Sequence, residues 1–156
     1  MISILSWNVH GYQSARPGKV ANLLLVQNAD IICLQEDVNV VKLDLADYKK
    51  VACCLVEPVS LELVSLLPNV ATDRQLHLCN SIYVKKSLIH LVEVLDPLLY
   101  ENKNNTTPRG AACIKINETI IANTHLCGGR HDDKNFKMLR NEKQKQIIEL
   151  VSKTNP

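Results

Sequence analysis

Apolar and polar positions alternate from Ile2 to Val9 and the run ends at Gly11, the pattern of a strand followed by a turn. Arg16-Pro17-Gly18 then opens a segment in which Val20, Leu23, Leu24 and Gln27 recur at three- to four-residue spacing before Asn28. That spacing predicts a short amphipathic helix starting near Pro17, since proline is favoured in the first helical turn. Ile31–Glu36 follows as a second strand, apolar enough to be buried on both faces. The order strand–helix–strand with such apolar strands is a βαβ unit, which predicts that the two strands run parallel.

The middle of the chain changes character. Lys49–Glu57, His77–Lys85 and Leu88–Leu95 read as strands, with Lys85-Lys86-Ser87 as a tight turn between the last two. Leu61–Leu67 is compatible with strand or helix, because a short apolar run does not decide between them. Asp96–Pro108 reads as a polar loop. Ala111–Ile116 and Thr119–Leu126 then form a hairpin across Asn117-Glu118. Leu139–Lys153 sets Ile147, Ile148, Leu150 and Val151 behind a charged first half, which predicts an amphipathic helix. No repeat, low-complexity tract or linker divides the chain, so residues 1–156 read as a single α/β unit.

Composition refines this picture only modestly. With 156 residues, 46% of them apolar and 22% charged, the chain is the size and type of one globular domain. A net charge of +2 is too small to argue by itself for nucleic acid, an acidic substrate or a membrane surface. Aromatic residues make up 4%, so no stacking platform for bases is visible. Cys33, Cys53, Cys54, Cys79, Cys113 and Cys127 lie mostly in apolar runs and form no Cys-x-x-Cys pair, which predicts free, mostly buried thiols. No apolar run approaches the roughly 20 residues of a membrane span. Met1 leads directly into Ile2-Ser3-Ile4-Leu5 with no charged leader, so the expected location is cytoplasmic.

Chemistry enters where polar residues interrupt the strands. Ile2, Ile4, Ser6 and Asn8 share one face by the two-residue period; so do Ile32, Leu34 and Glu36, and Ile121, Asn123 and His125. Each strand runs apolar and then presents Asn8, Glu36 or His125 near its carboxyl end, where sites gather in parallel α/β sheets. A carboxylate that finishes a buried strand needs a partner or a cation. Glu36 suits Mg²⁺, an oxygen-seeking ion that keeps several waters and takes one or two carboxylates; a salt bridge at the strand end suits it equally well. Asn8 can orient that carboxylate or serve as a turn residue before Gly11. His125 can contact a phosphate or protonate a leaving group, or be structural.

Three stretches occur in order: Ile4-Leu5-Ser6-Trp7-Asn8-Val9-His10-Gly11, Ala29-Asp30-Ile31-Ile32-Cys33-Leu34-Gln35-Glu36, and Ile121-Ala122-Asn123-Thr124-His125-Leu126. Together they resemble the opening motifs of the endonuclease/exonuclease/phosphatase superfamily, which has the DNase-I-like fold. Cys79-Asn80-Ser81-Ile82-Tyr83 is similar to that family's Gly-Asn-Ala strand, and Pro108-Arg109-Gly110-Ala111 to its arginine-containing lead into the next hairpin. Arg140 and Gln144–Gln146 fall where the family's Arg…Gln helix follows.

The resemblance implies the amino-terminal half of a four-layer α/β sandwich that hydrolyses phosphate esters with Mg²⁺ or Mn²⁺. By that analogy Glu36 and Asn8 serve the metal, Asn8 and His125 the catalysis, and Arg109 and Asn123 the substrate, a phosphoester and on a slight basic balance a nucleic acid. The family's later Gly-Asp-x-Asn motif, a further acidic residue and the terminal Asp-His pair are not found, and Asp132-Asp133 lies in a polar stretch rather than a strand. Two expectations follow: a chain inactive by itself, and a first sheet whose inner face lies open for a complementing chain or for self-association. A non-catalytic binding or assembly protein of the same ancestry is the alternative reading.

Overall fold

The computed structural model describes residues 1–13, 15–59, 76–100 and 109–126, together with 144, 145, 147, 148 and 150–152; of Glu57, Tyr100 and Arg109 only the backbone is described. The expected run Leu61–Leu67, the Asp132-Asp133 pair and much of the expected helix Leu139–Lys153 lie outside the described residues, although those described between 144 and 152 are helical.

The opening unit forms as its pattern predicts. Strand β1 (Ile4–Asn8) leads through a 3₁₀ turn (His10–Tyr12) to helix α1 (Pro17–Gln27) and strand β2 (Ile31–Val38), and β1 and β2 pair in parallel. Pro17 sits in the first turn of α1, and Asn28 closes the helix in the left-handed conformation. The buried stripe is Val20, Ala21 and Leu24, whereas Leu23 is exposed. Asp30 ties β2 to the start of β1: its carboxylate accepts from the Ser3 amide and hydroxyl, each at 2.9 Å, and lies 3.2 Å from Lys85 Nζ. These hydrogen bonds from Ser3, with help from Lys85, hold the Asp30 carboxyl down to about 2. A lowered folded value stabilises above the unfolded value near 4 and is lost as pH falls toward 2. Asp30→Asn is therefore expected to flatten the acid limb of a stability–pH profile measured by urea unfolding between pH 5 and 2.

Strands β3 (Tyr48–Pro58) and β4 (His77–Lys85) complete a four-stranded sheet in the order β1-β2-β4-β3. Lys86–Leu91 is a 3₁₀ helix instead of a tight turn, so the next strand begins at Val92 and not at Leu88. That strand, β5 (Val92–Tyr100), also takes in Asp96–Tyr100, which reads as loop because of Asp96 and Pro97; a proline is tolerated on an edge strand, and the register slips between Leu95 and Leu98. β6 (Arg109–Ile116) and β7 (Thr119–Thr124) form the expected hairpin, with Asn117 in the left-handed region, and the second sheet has the order β5-β6-β7.

The two sheets pack face to face. β6 lies against β3 and β4, and β7 against β2 and β4. Ala112, Ile114 and Ile116 of β6 join Ile31, Ile32, Leu34, Ile82 and Val84 of the first sheet in one buried cluster. The expectation of an open inner face on the first sheet is overturned over β2, β3 and β4, which the second sheet covers, whereas along β1 Ile4 stays exposed. On the other side of β6, Ala111 and Cys113 pack against Leu150, one of the helical residues described between 144 and 152. Gly110 of β6 is tightly enclosed: an added Cβ would lie 2.7 Å from Cys54 Sγ and 2.7 Å from the Leu98 carbonyl oxygen. Gly110→Ala is expected to cost about 1–3 kcal/mol by overpacking, read as a lower urea midpoint at unchanged slope.

Candidate active site

The register of the first sheet sets the problem for the site. Ser6 stands beside Cys33 and Asn8 beside Gln35 across the parallel β1–β2 ladder, so Ser6, Asn8, Cys33 and Gln35 share one face. Regular alternation would send the Glu36 side chain to the other face. A bulge between Leu34 and Asp37 intervenes, with Glu36 itself at φ 52°. The bulge re-aims the carboxylate, and Glu36 Oε1 accepts from Asn8 Nδ2 at 3.0 Å. Strand β2 then continues to Val38 instead of ending at Glu36.

His125 follows immediately after β7, and its Nδ1 lies 3.2 Å from the same Glu36 oxygen. Asn8, Glu36 and His125 therefore meet around one carboxylate, although they come from two different sheets. The Glu36 side chain is 16% exposed and that of His125 29%, so the group sits at the surface of the sandwich. Asn8 Oδ1 in turn accepts from the His10 amide at 2.8 Å, which fixes which way its amide points.

Beneath this group lies a polar linkage between the sheets. Asn123 is buried, and its Nδ2 donates to the carbonyls of Leu34 at 2.8 Å and Ser81 at 2.9 Å. Gln35 Nε2 donates to Asn123 Oδ1 and, at 3.0 Å, to Ser6 Oγ. Gln35 and Ser6 were not among the residues singled out from the sequence. The signal for Gln35 was its place before Glu36, but only the packed sheets show it bridging β1, β2 and β7.

No protein-family model matches the sequence, and no curated protein matches it. Solved structures do. TDP2 from C. elegans shares 20% identity at a TM-score of 0.54, over 99% of this chain and 44% of that one. TDP2 from D. rerio, complexed with a single-strand DNA product, shares 18% identity at 0.56, over 99% of this chain and 56% of that one. A mannosyl-6-phosphatase from Bacteroides thetaiotaomicron shares 15% at 0.52, over 99% and 62%. The fold is DNase-I-like. The chain spans about half the length of the solved structures it matches, and so forms part of the DNase-I-like sandwich.

Within this DNase-I-like frame the donor set is lean. Among the described residues no group of three His, Cys, Asp or Glu side chains stands close enough to enclose a metal ion. A single half-buried carboxylate flanked by an amide and an imidazole fits a hard cation that keeps most of its waters, such as Mg²⁺, better than a cation that needs a closed cage. Arg109 begins β6 beside Gly110, and its side chain lies outside the described residues.

The acidic residue next to the site has a different environment. Asp37 is fully buried, 2.7 Å from Lys50 Nζ; the Tyr12 hydroxyl donates to one oxygen, the Tyr83 hydroxyl to the other at 3.1 Å, and the Val38 amide donates at 2.9 Å. Burial, and then Asp37, push the Tyr12 and Tyr83 hydroxyls far above their ordinary value. For Lys50 burial opposes the charge, but Asp37 outweighs it and the ammonium is held above its usual range. These contacts close off the Asp37 carboxylate and pin the strand immediately after the Glu36 bulge.

Proposed function

We propose that this chain supplies the Asn8–Glu36–His125 part of a Mg²⁺- or Mn²⁺-dependent phosphoester hydrolase centre. The observation that carries this reading is the meeting of an amide, a carboxylate and an imidazole from β1, β2 and the end of β7 around one oxygen. Glu36 is the carboxylate that would hold the cation. Asn8, donating its amide N–H to Glu36, orients that carboxylate and takes the role of a positioning group. A divalent cation held by Glu36 would supply charge stabilisation to phosphoryl oxygens. His125, held with Nδ1 beside Glu36, would serve as donor to a phosphate oxygen or leaving group. Asn123, occupied by Leu34, Ser81 and Gln35, supports the site from below in place of the substrate contact expected of it. Arg109 is retained as a substrate-binding residue for the phosphate.

A nucleic-acid phosphodiester is the favoured substrate class, drawing on the solved neighbour that holds a single-strand DNA product and on the slight basic balance of the chain. Catalysis needs groups beyond these three, among them a base for the attacking water, so metal binding and turnover are separate measurements. Mn²⁺ titration followed by electron paramagnetic resonance is expected to show one weak site in the chain, lost in Glu36→Gln and kept in His125→Ala. Turnover of a single-stranded oligonucleotide with Mg²⁺, wherever it is found, is expected to disappear in both variants. Mn²⁺ binding that ignores Glu36→Gln would sink the hydrolase reading and favour the non-catalytic one.

A further inference from the structure

One buried polar atom beside the site has no partner. Asn80 of β4 is fully buried, and its Nδ2 donates to the Gly110 carbonyl of β6 at 2.8 Å. Among the described residues its Oδ1 is the one buried side-chain nitrogen or oxygen that makes no hydrogen bond. Turning the carboxamide over does not cure this, because Oδ1 would then face the Gly110 carbonyl oxygen, acceptor against acceptor. Folded proteins seldom keep a buried acceptor unpaired, since nothing replaces its lost hydration.

The sheet register sets Asn80 beside the Glu36 bulge. Leu34 pairs with Ser81 and Asp37 with Cys79, so Asn80 is the single residue of β4 that opposes Gln35 and Glu36. It therefore stands one strand from Glu36, at the usual strand spacing of about 4.8 Å, and two strands from Asn8. Its bond to Gly110 shows that its side chain lies on the face turned toward the second sheet. From that sheet Thr124, the residue before His125, donates to the same Gly110 carbonyl at 3.1 Å. Asn80 is thus bracketed by the two segments that carry Glu36 and His125.

We propose that Asn80 is a positioning residue of the cation site, its Oδ1 accepting a hydrogen bond from a water of the cation held by Glu36. The proposal rests on the hydrolase reading of Glu36. Mg²⁺ keeps several of its waters when it binds a protein through one or two carboxylates. Each such water turns its lone pair to the metal and its two O–H groups outward, so it needs acceptors around it. Asn123, the neighbouring buried amide, has both ends engaged, by Gln35 on one side and by Leu34 and Ser81 on the other. Asn80 Oδ1 is the buried acceptor still open. It is neutral, already stripped of solvent by folding, and fixed in direction by Gly110, the qualities of an outer-shell partner that orients what the cation holds.

The test needs no turnover. Mg²⁺ titration of the unaltered chain, followed by proton–nitrogen NMR, is expected to shift the side-chain amide signals of Asn80 together with those of Asn8. Neither is expected to move in Glu36→Gln. Asn80→Leu is expected to weaken Mn²⁺ binding, read by electron paramagnetic resonance, by about 10-fold, the loss typical of an outer-shell partner. Thr124→Val, which loosens the same Gly110 carbonyl but keeps Oδ1, is expected to bind Mn²⁺ as the unaltered chain does. Should Asn80→Leu not fold, the NMR titration decides by itself. An Asn8 shift with Asn80 unmoved, or equal weakening by Asn80→Leu and Thr124→Val, would overturn this proposal alone. No shift at either residue, or shifts that survive Glu36→Gln, would overturn the reading of Glu36 and the proposal with it.

Discussion

Replacing Asp37 with alanine is expected to lower the unfolding free energy by about 3–5 kcal/mol, because it removes one partner of a buried ion pair. Lys50 would be left charged in a partly buried corner, and the Tyr12 and Tyr83 hydroxyls and the Val38 amide would lose their acceptor. Urea unfolding at pH 7 reads the loss as a lower midpoint at unchanged slope. The double variant Asp37→Ala, Lys50→Met is expected to recover part of it, since an apolar pair no longer leaves a charge unpaired. The same cluster dictates behaviour in alkali. Tyr12, Tyr83 and Lys50 all have folded values raised above the unfolded ones. Their stabilisation is therefore complete below the unfolded values of about 10 and is lost as pH rises beyond them. The alkaline limb of the stability profile is expected to be steep in the unaltered chain and shallower in Asp37→Ala. An Asp37→Ala chain that melts like the original would show that this cluster does not hold the strand.

Asn123→Leu is the second substitution with a large expected effect. Leucine keeps the volume but deprives the Leu34 and Ser81 carbonyls and the Gln35 amide of their partner. Each buried polar group left unpaired costs about 1–3 kcal/mol; re-solvation of the half-buried Gln35 brings the expected total to about 3 kcal/mol. Glu36→Gln differs in kind, since Glu36 sits at the surface of the sandwich and its loss is expected to leave the melting point within a degree or two. The contrast between the pair separates what holds the sheets together from what holds a cation. Equal destabilisation by both would place Glu36 in the structural linkage.

How much of this was legible from sequence differs by element. Patterning located β1, α1, β2, β4 and the β6–β7 hairpin, because each has a period or a turn residue that local physics enforces. It failed at Lys86–Leu91 and Asp96–Tyr100. There a 3₁₀ helix mimics the start of a strand, and an edge strand accepts an aspartate and a proline that argue for a loop. It also failed on the open face over β2, β3 and β4, since nothing in the pattern of β5–β7 says that they form a separate sheet and lie across those strands.

The candidate site divides along the same line. The sequence by itself determined that Asn8, Glu36 and His125 stand near the ends of apolar strands, because composition and period are local properties of the chain. Only the tertiary structure decided that they meet. Strict alternation puts Asn8 and Glu36 on opposite faces of the sheet, and His125 follows the last strand of the other sheet. A one-residue bulge, with Glu36 at positive φ and Asp37 locked behind it by Lys50, Tyr12 and Tyr83, turns the carboxylate toward Asn8. Sheet packing through Asn123 and Gln35 then brings His125 to the same oxygen. These contacts join residues far apart in the chain, and their geometry is set by packing, which no local pattern encodes.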